Sequence, residues 1–294
     1  MGNRVVHYLL NWINQFPGGR QWISDHVHSW FAVGPPFLGA PKAIRGVVSG
    51  DKLGLDTFLS DDEGLMFARS SASTPWLFPN SKLFFQTPST EFIKRRKEAP
   101  GPPEYEDVSV PEILKDAGAE RVWKWYEDYY ARDFLYGGLP SQETILQAPP
   151  LDRLYNVYSI NFPTEVYTYV KKDKETSLSP FVPDPEAPSL DPHYKVEGGI
   201  AYETSATPQA INQLIGGVAR NVSGDGTVPY ASLAYSALWN GVNGLQVRHC
   251  ELLKGKHREI LDQREFFSTV LKYLMLDPTG RAGGDVVFER SSVF

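Results

Sequence analysis

The feature that most constrains the fold is a set of four short strand-like runs, the first of which is apolar and rich in aromatic and β-branched residues, as is typical of a strand buried in a sheet. These runs lie at residues 27–33, 156–160, 166–170 and 245–253. Helix-like stretches separate them, and strands joined through helices form a parallel sheet with helices on both faces. The sequence therefore predicts an α/β fold. Only three or four strands are visible, whereas a sheet typically holds about 5–6, so we expect the N-terminal half of the sheet to be missing.

Both ends of the chain carry amphipathic helical patterns, in which apolar residues recur at three- and four-residue spacing. The first pattern runs from Val5 to Ile13, and the last predicts a helix over residues 258–276. A shorter helical pattern follows the first strand at residues 42–48. The apolar face expected for the last helix consists of Ile260, Leu261, Phe266, Phe267, Val270, Leu271 and Leu274.

The middle of the chain has a different character. Residues 49–150 are interrupted by prolines and lack regular alternation of strands and helices, which indicates a cap-like or lid-like insertion. We therefore divide the chain into a core segment at 1–48, the insertion at 49–150, and a second core segment at 151–294. Within the last segment, the charged and proline-rich residues 173–197 predict a surface loop.

Composition excludes several classes of function. The net charge of −6 gives no electrostatic reason to expect nucleic-acid binding. A single cysteine, Cys250, cannot form an internal disulfide. The six histidines and the carboxylates show no metal-ligand spacing, and no glycine loop of the phosphate-binding kind is present. We therefore expect no metal, no cofactor and no nucleic-acid partner.

Two residues carry the chemistry that the sequence suggests. Asp225 stands between Gly224 and Gly226, on a turn that can aim a carboxylate inward, and His257 follows 32 residues later. Taken singly, the first is more often an ordinary turn and the second an ordinary surface histidine. Together they have the order and the strand-end positions of the last two members of a Ser-Asp-His triad in an α/β-hydrolase. In such a triad the imidazole takes the proton of the serine, and the carboxylate holds the imidazole.

The serine of such a triad is not found. It would stand in a G-x-S-x-G turn, and no serine of this chain has glycine at both the −2 and +2 positions. The chain begins Met1-Gly2 and leads directly into a helix, so a serine immediately before Met1 would make Gly2 the last glycine of the turn. An initiator methionine that begins a helix by chance is the competing interpretation.

Several longer segments extend the pattern, and with them the chain resembles the lecithin:cholesterol acyltransferase family, most of all its phospholipid:diacylglycerol acyltransferases. The Asp225 and His257 motifs carry this resemblance most strongly. The matching segments are residues 1–4 with the helix that follows, 34–42, 158–169, 223–233 and 257–261.

The resemblance implies an α/β-hydrolase fold in which Asp225 is the acid and His257 the base of the triad. It also implies that the backbone amide at Met1 would help to bind the oxyanion if the chain were extended past its start. The implied partners are a phospholipid acyl donor, a lipid-alcohol acceptor such as diacylglycerol and a membrane surface, and the implied location is the endoplasmic reticulum membrane.

Three alternatives to acyl transfer stay open. The protein could be a phospholipase or lipase, a non-catalytic fragment that lacks the nucleophile, or an α/β-hydrolase that acts on small esters. Without the serine, we expect the chain as given to be inactive. Trp76, Trp123 and Trp125 lie in the predicted cap, where contact with lipid competes with ordinary packing as an interpretation.

Overall fold

A computed structural model describes residues 1–52, 58–81, 83–85, 91–136, 146–173, 178–215, 220–253, 255–275 and 287–290. The chain divides into two compact units. The first comprises Met1–Leu38, Thr144–Thr164 and Ser205–Phe294, and the second Gly39–Glu143 and Glu165–Thr204. Residues 165–204 thus group with the second unit, whereas the sequence-based division assigns them to the core. That the second unit acts as a cap or lid stays a prediction.

Helices and strands are numbered along the chain. The helices are α1 (Gly2–Ile13), α2 (Gly19–His26), α3 (Lys42–Ser49), α4 (Asp61–Ser70), α5 (Val110–Asp116), α6 (Glu120–Trp125), α7 (Ile211–Leu214), α8 (Tyr230–Ala234) and α9 (Arg264–Met275). The strands are β1 (Trp30–Val33), β2 (Ile93–Arg96), β3 (Tyr105–Val108), β4 (Arg153–Ser159), β5 (Thr164–Lys172), β6 (Phe181–Pro183), β7 (Lys195–Glu197), β8 (Ile200–Glu203), β9 (Gln246–Leu252) and β10 (Val287–Arg290). Short 3₁₀ segments at Pro75–Leu77, Tyr235–Trp239, Val242–Gly244 and Glu259–Asp262, and a π-helical turn at Tyr126–Tyr130, are also described.

The first unit is built on a parallel sheet. β1, β4, β9 and β10 lie side by side in that order, and each neighbouring pair is parallel. The longest pairing joins β4 to β9, from Arg153 opposite Gln246 to Ser159 opposite Leu252. Parallel strands are covered on both faces, and six of the seven residues of β4 are buried. The core beside these strands contains Tyr155, Val157, Cys250, Leu252, Ile260 and Tyr273. The predicted α/β class is confirmed.

The strands predicted for this sheet are close to the observed ones. The run at 156–160 forms most of β4, and the run at 245–253 contains β9. The run at 27–33 is strand only from Trp30 onward. The fourth predicted strand, at 166–170, lies inside β5 of the second unit.

The sheet of the second unit is mixed. Its order is β3, β2, β5, β8, β7, and β6 pairs with the end of β5. β2 is parallel to β5 and antiparallel to β3. Sequence analysis did not predict β2, because three of its four residues are cationic. The cations are paired across the strands, Lys94 with Asp107 and Arg95 with Glu106, and opposite charges on facing strands stabilise a sheet.

The prediction that residues 173–197 form a surface loop is wrong for β6 and β7, which lie within it, whereas residues 184–194 between these strands form neither strand nor helix. Asp184 is completely buried there, and its carboxylate accepts hydrogen bonds from the Tyr105 hydroxyl at 2.7 Å and the Arg96 guanidinium at 3.2 Å. Burial alone would raise the pKa of Asp184, but these hydrogen bonds hold it below its ordinary value. The buried carboxylate therefore fixes a proline-rich segment onto the sheet.

The predicted helices at 5–13 and 42–48 are confirmed as α1 and α3. The helix predicted at 258–276 begins instead as a 3₁₀ turn and becomes α-helical at Arg264. Ile260 and Tyr273 are buried, but most of the expected apolar face is exposed among the described residues. The exposed side chains are Leu261, Phe267, Leu271 and Leu274. The apolar period of a helix shows which residues share a face but not what covers that face.

Two histidines of the first unit are fully buried and neutral. The His7 Nε2 atom lies 2.8 Å from the Gln147 carbonyl oxygen, which can only accept, so Nε2 carries the hydrogen. Burial lowers the pKa of His7 to about 3. His249 lies on β9, with Nδ1 at 3.0 Å from the Tyr158 hydroxyl. Burial, with help from the charge of Arg220, also lowers the pKa of His249 to about 3.

We predict that the chain loses stability as the pH falls below about 6.5, because these imidazoles take up protons only when the chain unfolds. Each unfolded histidine has a pKa near 6.5, so the unfolded state binds more protons between that value and about 3. Each histidine then lowers the free energy of unfolding by about 1.4 kcal/mol per pH unit. Urea unfolding between about pH 7 and about pH 5 measures the slope.

The variant His7→Gln keeps a side-chain donor for the Gln147 carbonyl and removes the titrating group. As the pH decreases, the free energy of unfolding of this variant should fall less steeply than that of the unsubstituted chain. The difference between the two slopes should be about 1.4 kcal/mol per pH unit. The matched control is His193→Gln, because His193 is exposed and its substitution should leave the slope unchanged. If the free energy of unfolding of His7→Gln changes with pH as steeply as that of the unsubstituted chain, the folded protein accepts a proton at His7.

Candidate active site

Asp225 lies on a tight turn beside the end of β4. The Phe162 amide, just past that strand, donates to the Gly224 carbonyl at 3.1 Å. A Cβ atom at Gly224 would lie 2.0 Å from the Val228 carbonyl oxygen, so only glycine fits where the turn closes on itself. This turn directs the carboxylate of Asp225 inward, and only 1% of the residue is exposed.

The two carboxylate oxygens of Asp225 have different partners. Oδ1 accepts the backbone amides of Thr227 at 3.0 Å and Val228 at 2.8 Å. Oδ2 lies 2.6 Å from Nδ1 of His257. Backbone amides that donate to a carboxylate favour its charged form and fix its orientation. Asp225 is therefore a preorganised acceptor for one imidazole N–H group.

His257 lies on the turn that follows β9. Its backbone amide donates to the Asp225 carbonyl at 3.0 Å, so the two residues are joined through main chain and side chain alike. The carboxylate takes the hydrogen of Nδ1, which leaves Nε2 with a lone pair. About a third of the side chain is exposed (32%), and Nε2 has no hydrogen-bond partner within the described residues. The structure thus brings the two predicted residues together as an imidazole that can accept a proton. Their catalytic roles remain a prediction.

The imidazole of His257 rests against the loop that follows β1. Gly34 has a φ of 53°, and a Cβ atom there would lie 3.0 Å from Cε1 and 3.1 Å from Nδ1 of the ring. The same Cβ would lie 3.5 Å from Asp225 Oδ2. Glycine allows this conformation and this close approach of backbone to ring. The backbone at Gly34 therefore lies directly against the Asp225–His257 pair.

The start of α1 lies at the same loop. The Asn3 side-chain amide donates to the Val33 carbonyl at 2.7 Å, and the Arg4 guanidinium donates to the carbonyls of Pro36 at 2.8 Å and Phe37 at 3.1 Å. Met1 immediately precedes this helix.

Four residues that support the pair received no individual role from the sequence, although all four lie in segments that the sequence analysis singled out. Thr164 accepts the Gly226 amide at 2.8 Å and so holds the turn of Asp225. Ser232 accepts the amide of Leu38, at the end of the loop that starts with Gly34. The other two are Gly34 itself and Arg4. Only Arg4 leaves a signal in the sequence, as a cation on the same helical face as His7 and Leu10, whereas the contacts of the others arise from folding.

The described residues contain neither a reactive cysteine nor a group of side chains that could hold a metal ion. Cys250 is buried, and burial raises the pKa of its thiol to about 12, so it is not a thiolate near neutral pH. Histidine, cysteine, aspartate and glutamate side chains form no group of three that could hold a metal within the described part of the chain. Among the same residues, no helix is long and apolar enough to cross a membrane.

The three tryptophans considered for lipid contact are each partly buried in the second unit. Trp76 stacks on Tyr130 at 5.9 Å, and Trp123 stacks on Tyr126 at 5.1 Å. The guanidinium of Arg121 lies over the ring of Trp125. These contacts are ordinary packing, and contact with lipid stays a prediction.

Comparison with known proteins gives a family match and several distant relatives. A model of the family described as Lecithin:cholesterol acyltransferase matches residues 1–264. A phospholipid–sterol O-acyltransferase of Arabidopsis thaliana is 26% identical over 301 residues, which cover 82% of this chain and 44% of the relative. A phospholipid:diacylglycerol acyltransferase of Saccharomyces cerevisiae is 26% identical over 98 residues, 28% of this chain and 15% of the relative.

A third relative, the lysosomal phospholipase A and acyltransferase of Bos taurus, is 26% identical over 166 residues, 56% of this chain and 34% of the relative. The chain therefore spans less than half the length of each of these relatives. The family match extends over most of the chain and includes both Asp225 and His257. The chain belongs to the lecithin:cholesterol acyltransferase family.

Proposed function

We propose that this chain supplies the acid and the base of a site that transfers a fatty acyl group from a phospholipid to a lipid alcohol such as diacylglycerol. The observation that carries the proposal is the hydrogen bond of 2.6 Å between Asp225 Oδ2 and His257 Nδ1, with Nε2 left open. In a family of acyltransferases, a carboxylate–imidazole pair of this kind fits the activation of a serine hydroxyl.

The nucleophile in this proposal is a serine directly before Met1. Two contacts support this position. Asn3 donates to Val33, and the next residue, Gly34, lies against the ring of His257. Through Val33 and its neighbour Gly34, the start of α1 is thereby linked to the backbone that lies against the ring of His257. A backbone amide at Met1, one residue after the serine, would donate to the oxyanion, as in the nucleophile turns of α/β-hydrolases.

The reaction then takes two steps. The serine oxygen attacks the ester carbonyl of the phospholipid while Nε2 of His257 takes its proton, and the buried carboxylate of Asp225 stabilises the imidazolium. The ester C–O bond breaks, the lysophospholipid oxygen receives the proton, and an acyl-serine remains. In the second step the acceptor hydroxyl gives its proton to Nε2 and attacks the acyl carbonyl. The serine oxygen leaves and recovers the proton.

The names of the relatives support the choice of substrates. Phospholipid stands as the donor in the names of the Arabidopsis and the yeast enzymes, whereas the acceptors named are a sterol and diacylglycerol. We therefore assign the donor as a phospholipid and the acceptor class as a lipid alcohol. The Bos taurus relative is named both phospholipase A and acyltransferase, and this favours hydrolysis as the second candidate, with water in place of the alcohol.

We predict that the 294-residue chain itself does not react with a fluorophosphonate probe, because none of its serines lies in a G-x-S-x-G turn. Intact-mass measurement after incubation with the probe should show no adduct. A second protein should be made in which the in-frame residues encoded before Met1 are joined to this chain. This joined protein should instead gain one adduct per molecule. Stoichiometric labelling of a serine within residues 1–294 would show that the nucleophile is misassigned.

In the joined protein, Asp225→Asn or His257→Ala should lower acyl transfer by about 10³- to 10⁴-fold, because the serine then lacks a correctly held base. Matched controls are Asp152→Asn and His193→Ala, since both side chains are exposed. Turnover of labelled phosphatidylcholine in vesicles with diacylglycerol gives triacylglycerol on transfer and free fatty acid on hydrolysis. Near-unchanged turnover in either site variant excludes the triad, and free fatty acid as the main product selects the phospholipase.

A further inference from the structure

Arg4 is a charged side chain in the interior of the first unit. Only 1% of the residue is exposed, and it shares the buried face of α1 with His7, Leu10 and Asn11. Burying a guanidinium is costly unless hydrogen bonds compensate. Two hydrogen bonds of Arg4 go to successive carbonyls in the loop after β1, from Nε to Pro36 and from Nη2 to Phe37.

This loop, residues 34–38, needs support from outside itself. Two of its five residues, Pro35 and Pro36, have no backbone N–H group, so the loop cannot form a ladder of backbone hydrogen bonds. It is held at three places instead. The Gly34 amide donates to the Val157 carbonyl at 2.9 Å, Arg4 binds the carbonyls in the middle, and the Leu38 amide donates to the Ser232 hydroxyl at 3.0 Å.

The same loop limits the position of His257. Gly34 approaches both Cε1 and Nδ1 of the ring so closely that a methyl group would not fit without movement. A displacement of the loop by a few tenths of an ångström would therefore change the space available to the imidazole. The carbonyl before Gly34, that of Val33, is the acceptor of Asn3. Two successive side chains of α1 thus bind the loop that backs the base.

We propose that Arg4 is a positioning residue, which fixes the start of α1 relative to the imidazole of His257 by holding residues 34–38. That this positioning matters for catalysis rests on the proposed function, in which the nucleophilic serine directly precedes the start of α1. A guanidinium suits the task because its N–H groups form a rigid planar fork, so one side chain can bind two neighbouring carbonyls at fixed angles. Arg4→Lys keeps the charge but loses the fork.

A purely structural role for Arg4 predicts something different, namely a loss of stability that leaves His257 unchanged. The matched control is Arg220→Lys. Arg220 also binds through a fork, with both arms on the carboxylate of Glu251 at 2.8 and 2.9 Å. It lies in the same unit, and within the described part of the chain it makes no contact with residues 34–38, so Arg220→Lys should lower stability without moving His257.

The test is NMR spectroscopy of the 294-residue chain labelled with ¹⁵N. The chemical shift and the solvent-exchange rate of the Nδ1 proton of His257 report its hydrogen bond to Asp225. We expect a far-downfield Nδ1 proton in the unsubstituted chain and in Arg220→Lys, and its upfield shift and faster solvent exchange in Arg4→Lys. A normal His257 signal in a folded Arg4→Lys chain would overturn the proposal, as would the absence of the downfield proton from the unsubstituted chain. If Arg4→Lys fails to fold, the Nδ1 proton of His257 is measured in Asn3→Ala instead. An upfield shift of that proton supports the proposal, and an unchanged signal overturns it.

In the joined protein, Arg4→Lys should lower kcat by about 10- to 100-fold, as expected for a small misplacement of reacting groups, and leave KM nearly unchanged. Arg220→Lys should leave kcat within about threefold. Equal losses of kcat in the two variants would make Arg4 structural only. Failure of the proposed function would be seen separately, because an unsubstituted protein without acyl transfer would still show whether Arg4 controls the imidazole of His257.

Discussion

The hydrogen bond between Asp225 and His257 joins two turns that are distant in sequence, and the organisation of the first unit follows from the burial of that carboxylate. An ionised carboxylate inside a protein is tolerated only when its oxygens are fully supplied with donors. Two backbone amides of its own turn and the imidazole of His257 meet this requirement. The turn must therefore be tight, which is why it contains Gly224, and β9 must end beside it so that the histidine arrives within reach.

A good part of this arrangement could be predicted from the sequence. The runs that became β4 and β9 contain aromatic and β-branched residues, and most of their residues are buried, as expected of strands covered on both faces. The Asp225 and His257 motifs carry their own turn signals. The run at 166–170 predicted β5 of the second unit, but the other strands of that unit could not be found in this way. β2 is built largely of cations that become acceptable in a sheet only because acidic residues stand opposite them on β3, and such pairing is invisible until the fold is known.

The supporting residues were hidden for a different reason. Gly34 and Thr164 are common residue types in ordinary turns, and their importance lies wholly in what is folded against them. Arg4 shares the buried face of α1 with His7, Leu10 and Asn11, but periodicity gives no indication of which carbonyls it would bind. Motifs thus identified the two side chains that the fold brings together, Asp225 and His257. The groups that hold them in place become visible only from distances.

The single cysteine provides a way to measure how often the sheet of the first unit opens. Cys250 lies in the interior of β9, seven residues before His257, and its thiol is both enclosed and held in the unreactive protonated form. Maleimides and disulfide reagents should then modify the native chain only when β9 separates from its neighbours. The rate of that modification would measure how often the central sheet opens beneath the acid–base pair, with a probe that the natural sequence already contains.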